Sequence, residues 1–484
     1  MPDIVAPQEP RPPRTIVTTD PELDDLNSML RMLLYSNELD IRGLVYSSSQ
    51  FHYAGNPDLG ISPHRWPAEG ERLHIDQAVD AYAAAYPNLV RHDGRYPSPE
   101  RLRGLVAWGN VENVGDMRED TPGSDLIRAA LLDDEPGQIF LQVWGGPNTI
   151  ARALRSIEED YRHTPEWETI RASIEAKAVI TSFGQQDDTF TDYIKPTWPG
   201  IENREVATTV WGYFARHVAD PEDLHLLEPD WTRDNISNVG PMGAAYRVWG
   251  DGRQMAAGFD REDYFGLAGH SADELKNLGY WVWMPPQPAG GFISEGDSSN
   301  FALLVANGLR SWEHPSWGGW GGRQAVDSDD PRSSSNKGVR DEGPDGRPRD
   351  DWAAARWLRM IQHDFAGRLR WTVTADFGAA NHHPSVVIEE GVDLRRPAGS
   401  TVRLTARASD PDGDSLTYRW WQYREAGTSS AELDLEPNGD TVSFALPADA
   451  VAGETVHVIL EVTDSGSPPL TACKRVVVEI ADIS

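Results

Sequence analysis

A strand–helix–strand pattern near the start of the chain constrains its fold most strongly. Residues 14–19 and 41–46 are short apolar runs typical of buried strands. Between them, apolar residues recur at the three- and four-residue spacing of an amphipathic helix, at Leu26, Met29, Leu30, Leu33 and Leu34. A strand, a helix and a strand within about 30 residues predict a βαβ unit, and therefore a parallel sheet.

The same alternation continues along the chain. Helical patterns at residues 124–132 and 148–159 alternate with strand patterns at residues 138–144 and 177–182. This order predicts a layered α/β domain with a mostly parallel sheet. In such a domain, functional sites form at the carboxyl ends of the strands.

A second domain is predicted at the C-terminus, because the pattern changes there. Beyond His383, short alternating stretches such as residues 401–406 and 456–462 are separated by turn-forming clusters, which is typical of an all-β, immunoglobulin-like sandwich. We therefore expect a flexible lead over residues 1–13, a catalytic domain over residues 14–378 and a sandwich over residues 383–484. Residues 324–349 are rich in Asp, Ser, Arg, Gly and Pro, and predict a long surface loop within the first domain.

Composition excludes several classes of function. The 76 acidic and 44 basic residues give a formal charge of −32, which disfavours nucleic acid as a partner. No apolar run approaches the roughly 20 residues of a membrane helix. The sequence shows no signal peptide, so we expect a cytoplasmic protein as written, or a secreted one if this is a trimmed mature form. A single cysteine, Cys473, excludes an intrachain disulfide and a Cys-rich zinc site.

The segment Thr18-Thr-Asp-Pro-Glu-Leu-Asp-Asp25 carries the sharpest chemical signal. Asp20 follows the first strand, and Asp24 and Asp25 fall in the first turn of the next helix, so three carboxylates converge on one loop. Hard oxygen ligands of this kind suit Ca²⁺ better than Zn²⁺. The alternative is that Asp24 and Asp25 only cap the helix, although capping accounts for one aspartate more readily than for three.

This segment resembles the opening motif of the inosine-uridine nucleoside hydrolases, Asp-Thr-Asp-Pro-Gly-x-Asp-Asp. The resemblance implies that Asp20 is a calcium ligand and the base that activates water, that Asp25 is a second ligand, and that Asp24 holds sugar hydroxyls. Thr18 replaces the first Asp of the motif. Glu22 replaces its Gly and would place an extra carboxylate near the sugar.

Two later segments extend the resemblance. Residues 143–151 are similar to a strand-end segment of the family whose backbone carbonyl binds calcium, which implies that role for Trp144. Asp297 matches a late aspartate ligand, but Gly296 stands where the family has a histidine that assists the leaving base. Glu295 or His52 could replace that acid. The alternatives are that Glu295 is a surface residue and that His52 is an ordinary loop histidine.

The fuller pattern resembles an uncharacterised subgroup of nucleoside-hydrolase-like proteins labelled cellulose-binding. The residues that carry this resemblance lie in segments 182–188, 295–297, 317–323 and 410–423. Within them, Gln186 and Asp187 are predicted to contact substrate, with helix capping as the alternative.

Tryptophan is unusually frequent, with 18 residues against 12 Phe and 14 Tyr, and exposed tryptophan can stack on sugar rings. Trp317, Trp320 and Arg323 are predicted to line a sugar pocket, with a Gly-rich structural turn as the alternative. Trp420 and Trp421 are neighbours on one strand and point to opposite faces. One of them is expected in the core and the other against the first domain.

These observations predict a Ca²⁺-dependent glycoside hydrolase that acts on a carbohydrate or glycoside. Asp20 would activate the water, Asp24 would fix the sugar, and Glu295 or His52 would protonate the leaving group. A nucleoside N-ribohydrolase and a non-catalytic carbohydrate-binding protein remain alternatives. Homo-oligomerisation is an expectation of the family resemblance only.

Overall fold

The computed structural model describes residues 12–255 and 261–482. The predicted flexible lead, residues 1–13, lies outside the described residues except for its last two. None of the described helices is both long and apolar enough to cross a membrane.

The first domain is built on an eight-stranded sheet, in which every pair of neighbours is parallel except β7 with β8. Its strands are β1 (Arg14–Thr19), β2 (Asp40–Tyr46), β3 (Val106–Trp108), β4 (Ile139–Val143), β5 (Ala178–Ser182), β6 (Glu202–Glu205), β7 (Ala325–Val326) and β8 (Ser333–Ser335). The order across the sheet is β3-β2-β1-β4-β5-β6-β8-β7. The predicted parallel sheet is thereby confirmed, with β1 near its centre.

Helices surround this sheet. They are α1 (Leu23–Leu34), α2 (His74–His92), α3 (Pro99–Arg103), α4 (Pro122–Leu132), α5 (Asn148–Tyr161), α6 (Trp167–Lys177), α7 (Lys195–Thr197), α8 (Ala215–Val218), α9 (Pro229–Thr232), α10 (Gly240–Ala245), α11 (Ala272–Asn277), α12 (Ser298–Ala302), α13 (Trp352–Ala355) and α14 (Leu358–Trp371). Helix α1 is buried along its whole length. Glu22, which precedes it, has extended backbone angles, so the helix begins immediately after the loop that leaves β1.

Residues 324–349 were predicted to form a long surface loop, and the structure shows short strands within this segment. Strands β7 and β8 extend the main sheet beyond β6, and β9 (Arg340–Glu342) pairs with β10 (Pro348–Asp350) in an antiparallel hairpin. The polar composition is compatible with strands here because β7 and β10 are largely exposed and lie at sheet edges.

The C-terminal domain is a β-sandwich of two four-stranded sheets, as the sequence predicted. One sheet has the order β11-β13-β16-β15 and the other has β12-β18-β17-β14. The strands are β11 (Ser385–Ile388), β12 (Asp393–Pro397), β13 (Thr401–Ser409), β14 (Thr417–Gln422), β15 (Glu436–Asn438), β16 (Thr441–Ala445), β17 (Thr455–Thr463) and β18 (Thr471–Ala481). Trp420 is buried in the core between the sheets.

Specific contacts dock the sandwich onto the first domain. The ring of Trp421 lies 5.8 Å from that of Trp357, so this tryptophan makes the interdomain contact expected from the sequence. The hydroxyl of Tyr423 donates to Asp341 at 2.7 Å, and the guanidinium of Arg475 donates to the carbonyl of Leu309 at 2.6 Å. All of these partners are buried or half-buried, so polar and aromatic contacts together fix the second domain.

Candidate functional site

Five carboxylates gather at the carboxyl end of β1, and we call them the acidic cluster: Asp20, Glu22, Asp24, Asp25 and Asp297. Carboxylate oxygens of Glu22, Asp24 and Asp25 lie within 4.8 Å of one another. Glu22 also groups within 4.8 Å with Asp20 and with a ring nitrogen of His52. The side chain of Glu22 is 23% exposed, whereas the four aspartates are buried. Glu22 is therefore the most exposed member of the cluster.

Burial and mutual repulsion raise the pKa values of these carboxyl groups. Burial raises the pKa of Asp25 well above its ordinary value, and the charges of Asp297 and Asp20 raise it further. Burial, with the neighbouring carboxylates, also raises the pKa values of Glu22 and Asp297, and it raises the pKa of Asp24 to about 6. Negative charge is thus concentrated here at a high electrostatic cost, which a bound cation would offset.

Asp20 is held by the loop that follows β2. Ser49 donates its hydroxyl hydrogen to Oδ2 of Asp20 at 2.5 Å, and Nδ1 of His52 lies 3.0 Å from the same oxygen. The other oxygen, Oδ1, is buried and has no hydrogen-bond partner among the described residues. A Cβ atom on Gly145 would lie 2.7 Å from this Oδ1, so only glycine lets the backbone approach it.

Asp25 is held by a hydroxyl and an imidazole. Thr19 donates its hydroxyl hydrogen to Oδ1 of Asp25. Nε2 of His74 lies 2.9 Å from the Thr19 hydroxyl oxygen, which has no second hydrogen to give, so His74 is the donor. Burial lowers the pKa of His74 to about 3, so the imidazole is neutral. The chain His74–Thr19–Asp25 therefore fixes the carboxylate without adding charge.

Asp24 faces a different set of groups. The hydroxyl of Ser294 donates to Oδ2 of Asp24 at 3.2 Å, and the hydroxyl of Tyr213 lies 3.5 Å from Oδ1. A Cβ atom on Gly296 would lie 2.9 Å from Oδ2 of Asp24, so the glycine that replaces the family histidine also lets the backbone approach this carboxylate. Hydroxyl donors around Asp24 are compatible with the predicted contact to a sugar.

The carbonyl of Trp144 and the side chain of Gln186 lie together beside the cluster. Nε2 of Gln186 donates to the carbonyl oxygen of Trp144 at 2.9 Å. Asp187, by contrast, is occupied locally: its Oδ1 accepts hydrogen bonds from the backbone amide of Thr189 at 2.8 Å and from the Thr189 hydroxyl at 2.6 Å. These contacts favour the capping alternative for Asp187, whose contact with substrate stays a prediction.

Glu295 lies in a buried ion pair. Arg31 on α1 donates through Nη2 to Oε1 of Glu295 at 2.8 Å and through Nε to Oε2 at 2.5 Å, and both side chains are almost fully buried. The hydroxyls of Tyr246 and Ser298 also donate to this carboxylate. Glu295 is therefore not a surface residue. Four donated hydrogen bonds favour a structural function over that of an acid, and its catalytic role stays a prediction.

The side chains of the predicted sugar-binding residues in segment 317–323 make contacts with the core and with the second domain. Trp320 is buried in the main core, where its ring packs edge-on against Tyr35. Trp317 packs against His457 of the sandwich, and Arg323 forms an ion pair with Asp341 at 2.6 Å. Their contacts fit the structural-turn alternative, because the segment joins the core to the second domain.

Five residues that position the cluster were not foreseen in the sequence: Thr19, Ser49, His74, Tyr213 and Ser294. Thr19 lies inside the acidic segment 18–25 and Ser294 directly precedes Glu295, so their hydroxyl groups were the available signal. Ser49, His74 and Tyr213 are between 29 and 193 positions from Asp20 along the chain, and no local pattern links them to it.

The chain shows clear similarity to known proteins. Residues 14–324 match the family model described as "Cellulose-binding Sde182, nucleoside hydrolase-like domain". Residues 401–480 match the model described as "Cellulose-binding protein Sde0182, C-terminal domain". No curated protein matches the chain.

One solved structure is similar to nearly the whole chain. A nucleoside hydrolase-related hypothetical protein from Saccharophagus degradans, associated with carbohydrate metabolism, is 25% identical, with a TM-score of 0.69 over 97% of this chain and 100% of that chain. A plant nucleoside hydrolase, PpNRh1, is 13% identical over 75% of this chain and 100% of that chain. Its TM-score is 0.32.

Proposed function

Since this chain belongs to the cellulose-binding, nucleoside hydrolase-like family, we propose that it is a Ca²⁺-dependent hydrolase that cleaves a glycosidic bond in a carbohydrate or glycoside. The acidic cluster is the observation that supports the proposal. Five carboxylates at the carboxyl end of a central parallel strand form a set of hard oxygen donors, and Oδ1 of Asp20 has no partner among the described residues.

Four groups are proposed to hold the cation: the carboxylates of Asp20, Asp25 and Asp297 and the backbone carbonyl of Trp144. Bound Ca²⁺ would supply positive charge that offsets the repulsion of the cluster and attracts the vicinal hydroxyls of a sugar and a water molecule. Thr19 and His74 keep the carboxylate of Asp25 in place for this role.

Asp20 is the proposed base. Ser49 and His52 both engage Oδ2, so Oδ1 stays available to accept a proton from the attacking water. Asp24, with Ser294 and Tyr213 beside it, would hold sugar hydroxyls and orient the bond to be cleaved. Glu22 lies on the solvent side of the cluster, where it would contact substrate that enters.

The sequence predicts that either Glu295 or His52 protonates the leaving group. Nδ1 of His52 faces Asp20 at 3.0 Å and lies 3.8 Å from Glu22, which leaves Nε2 as the ring nitrogen that would reach a leaving group. Glu295 is engaged by Arg31 and by two hydroxyls. We therefore propose His52 as the acid.

Two observations favour a carbohydrate over a free nucleoside. Gly296 stands where the resembling nucleoside hydrolases have the histidine that assists the leaving base, and the matching family is described as cellulose-binding. The same description supports a second candidate function, carbohydrate binding without turnover.

An assay of substrate cleavage separates these candidates. The purified protein would be incubated, with Ca²⁺ and after chelation, with nucleosides, furanosides and plant-wall oligosaccharides. Asp20→Ala is the inactive variant, and Asp230→Ala, at an exposed surface aspartate, is the matched control. Release of a sugar that requires Ca²⁺ and Asp20 supports the hydrolase. Release of free base from inosine or uridine selects the nucleoside alternative, and binding without cleavage selects the binding protein.

A further inference from the structure

We propose that Tyr213, Phe214, Trp281 and Trp283 form an aromatic platform that binds the rings of a neutral, β-linked glucan chain beside the acidic cluster. The choice of a glycan rests on the proposed function, whereas the platform itself rests on the exposure of Phe214, Trp281 and Trp283 and on the position of Tyr213 between Trp283 and Asp24.

Three of the four rings are unusually exposed for large aromatic groups. Trp281 is 58% exposed, Trp283 is 38% exposed and Phe214 is 40% exposed. The rings of Phe214 and Trp283 lie 6.1 Å apart, and Trp281 is two positions from Trp283 along the chain. Such a grouping indicates a binding surface, since single apolar residues scattered over a surface are the ordinary case.

The backbone of the segment holds the two tryptophans outward. Val282, between them, packs against a buried apolar cluster, and Met284 is a buried member of that cluster. With Val282 and Met284 anchored inward, their neighbours Trp281 and Trp283 remain exposed to solvent. Their exposure therefore follows from the way the segment is packed.

Tyr213 connects this platform to the acidic cluster. Its ring lies 4.8 Å from that of Trp283 in an edge-to-face arrangement, and its hydroxyl lies 3.5 Å from Oδ1 of Asp24. Leu23, the residue before Asp24, belongs to the same buried apolar cluster as Met284. Tyr213 therefore places the platform directly beside Asp24.

The aromatic side chains of the platform favour a ligand with flat apolar faces. Pyranose rings with equatorial hydroxyls expose flat C–H faces that pack on aromatic rings, and a β-linked glucan presents such faces in sequence along an extended chain. The formal charge of −32 disfavours an anionic ligand such as a phosphorylated or uronic-acid polymer. A neutral glucan satisfies both conditions.

Calorimetry with the full chain tests the platform without turnover. Cellohexaose would be titrated, in the presence of chelator, into the wild type and into Trp281→Ala and Trp283→Ala. Trp108→Ala is the matched control, because Trp108 is 46% exposed and its ring packs on Tyr46 instead. Circular dichroism would confirm that each variant is folded.

Each platform variant is expected to weaken cellohexaose binding by about tenfold, while the control stays within about twofold of the wild type. Wild-type affinity in folded Trp281→Ala and Trp283→Ala, or no binding by the wild type, would overturn the platform. Such a result would leave Ca²⁺-dependent cleavage of a small glycoside intact. Conversely, loss of binding in the variants without any hydrolysis would reject only the hydrolase.

Discussion

Nδ1 of His52 lies 3.0 Å from Oδ2 of Asp20, the oxygen that also accepts the hydroxyl hydrogen of Ser49. This pairing assigns different environments to the two oxygens of one carboxylate. Oδ2 is held by the loop after β2, and Oδ1 is left for a cation or a water proton. A buried side chain oriented in this way is suited to act as a base.

Replacing His52 with Gln is expected to lower kcat by about 10- to 100-fold with little change in KM, because Asp20 loses its orientation and the leaving group loses its acid. Steady-state kinetics across pH measure this. Loss of the alkaline limb of the pH–kcat profile supports the acid role, and an unchanged profile restricts His52 to positioning. A variant with wild-type kcat would contradict both roles.

Replacing Thr19 with Val should weaken calcium binding by about tenfold, since the isosteric side chain removes the hydroxyl that positions Asp25. Thr18→Val is the matched control, because Thr18 is equally buried in the same strand and donates to the carbonyl of Gln142 instead. Calorimetric titration of both variants measures the effect. Equal calcium affinity in the two variants would show that the Thr19 hydroxyl is not needed.

Replacing Glu295 with Gln is expected to destabilise the protein by about 3 kcal/mol, because the charge of Arg31 would remain buried without its counter-ion. Urea unfolding measures the loss. Glu135→Gln is the control, since Glu135 is half-exposed and pairs with Arg42 at the surface, where an ion pair contributes little. If Glu295→Gln is as stable as the wild type but has lost turnover, Glu295 is the acid after all.

Asp364 contributes to the stability of the folded protein, and this contribution depends on pH. Burial alone would raise its pKa, but His383 and Arg368 outweigh burial and hold the pKa well below its ordinary value. A carboxyl group with a lowered pKa in the folded state contributes stability above the ordinary pKa, and that stability is lost as the pH falls below about 4.

Asp364→Asn should therefore lower the free energy of unfolding by about 3 kcal/mol near neutral pH, where Arg368 is left without this partner. The difference from wild type should shrink as the pH falls below about 4. Thermal unfolding across pH measures both, with Asp230→Asn, at a highly exposed aspartate, as control. A difference that stays constant with pH would reject the contribution of this charge.

The fold was largely predictable because it rests on local periodicity. The spacing from Leu26 to Leu34 gave α1, and the apolar runs on either side of it gave β1 and β2. The acidic loop was predictable for the same reason, since Asp20, Asp24 and Asp25 lie within six positions of one another. The short strands between residues 324 and 349 were not predicted, because their side chains are polar and their pairing is with distant segments.

The parts of the site that depend on distant contacts could not be read locally. Arg31 and Glu295 are 264 positions apart, and no pattern in either segment identifies the other as its partner. For segment 317–323, the local pattern was visible in the sequence but fitted two interpretations. Glycine next to tryptophan is compatible with a sugar pocket and with a structural turn, and only the contacts of Trp317 and Trp320 distinguish them.

The most direct test of the account is a calorimetric titration of Ca²⁺ into chelator-stripped protein and into Asp25→Asn. Replacing this aspartate relieves repulsion inside the cluster, so the variant should fold. We predict saturable binding of a single Ca²⁺ per chain in the wild type and loss of that binding in Asp25→Asn. No binding by the wild type, or equal binding by the variant, would contradict the assignment of the acidic cluster as a calcium centre.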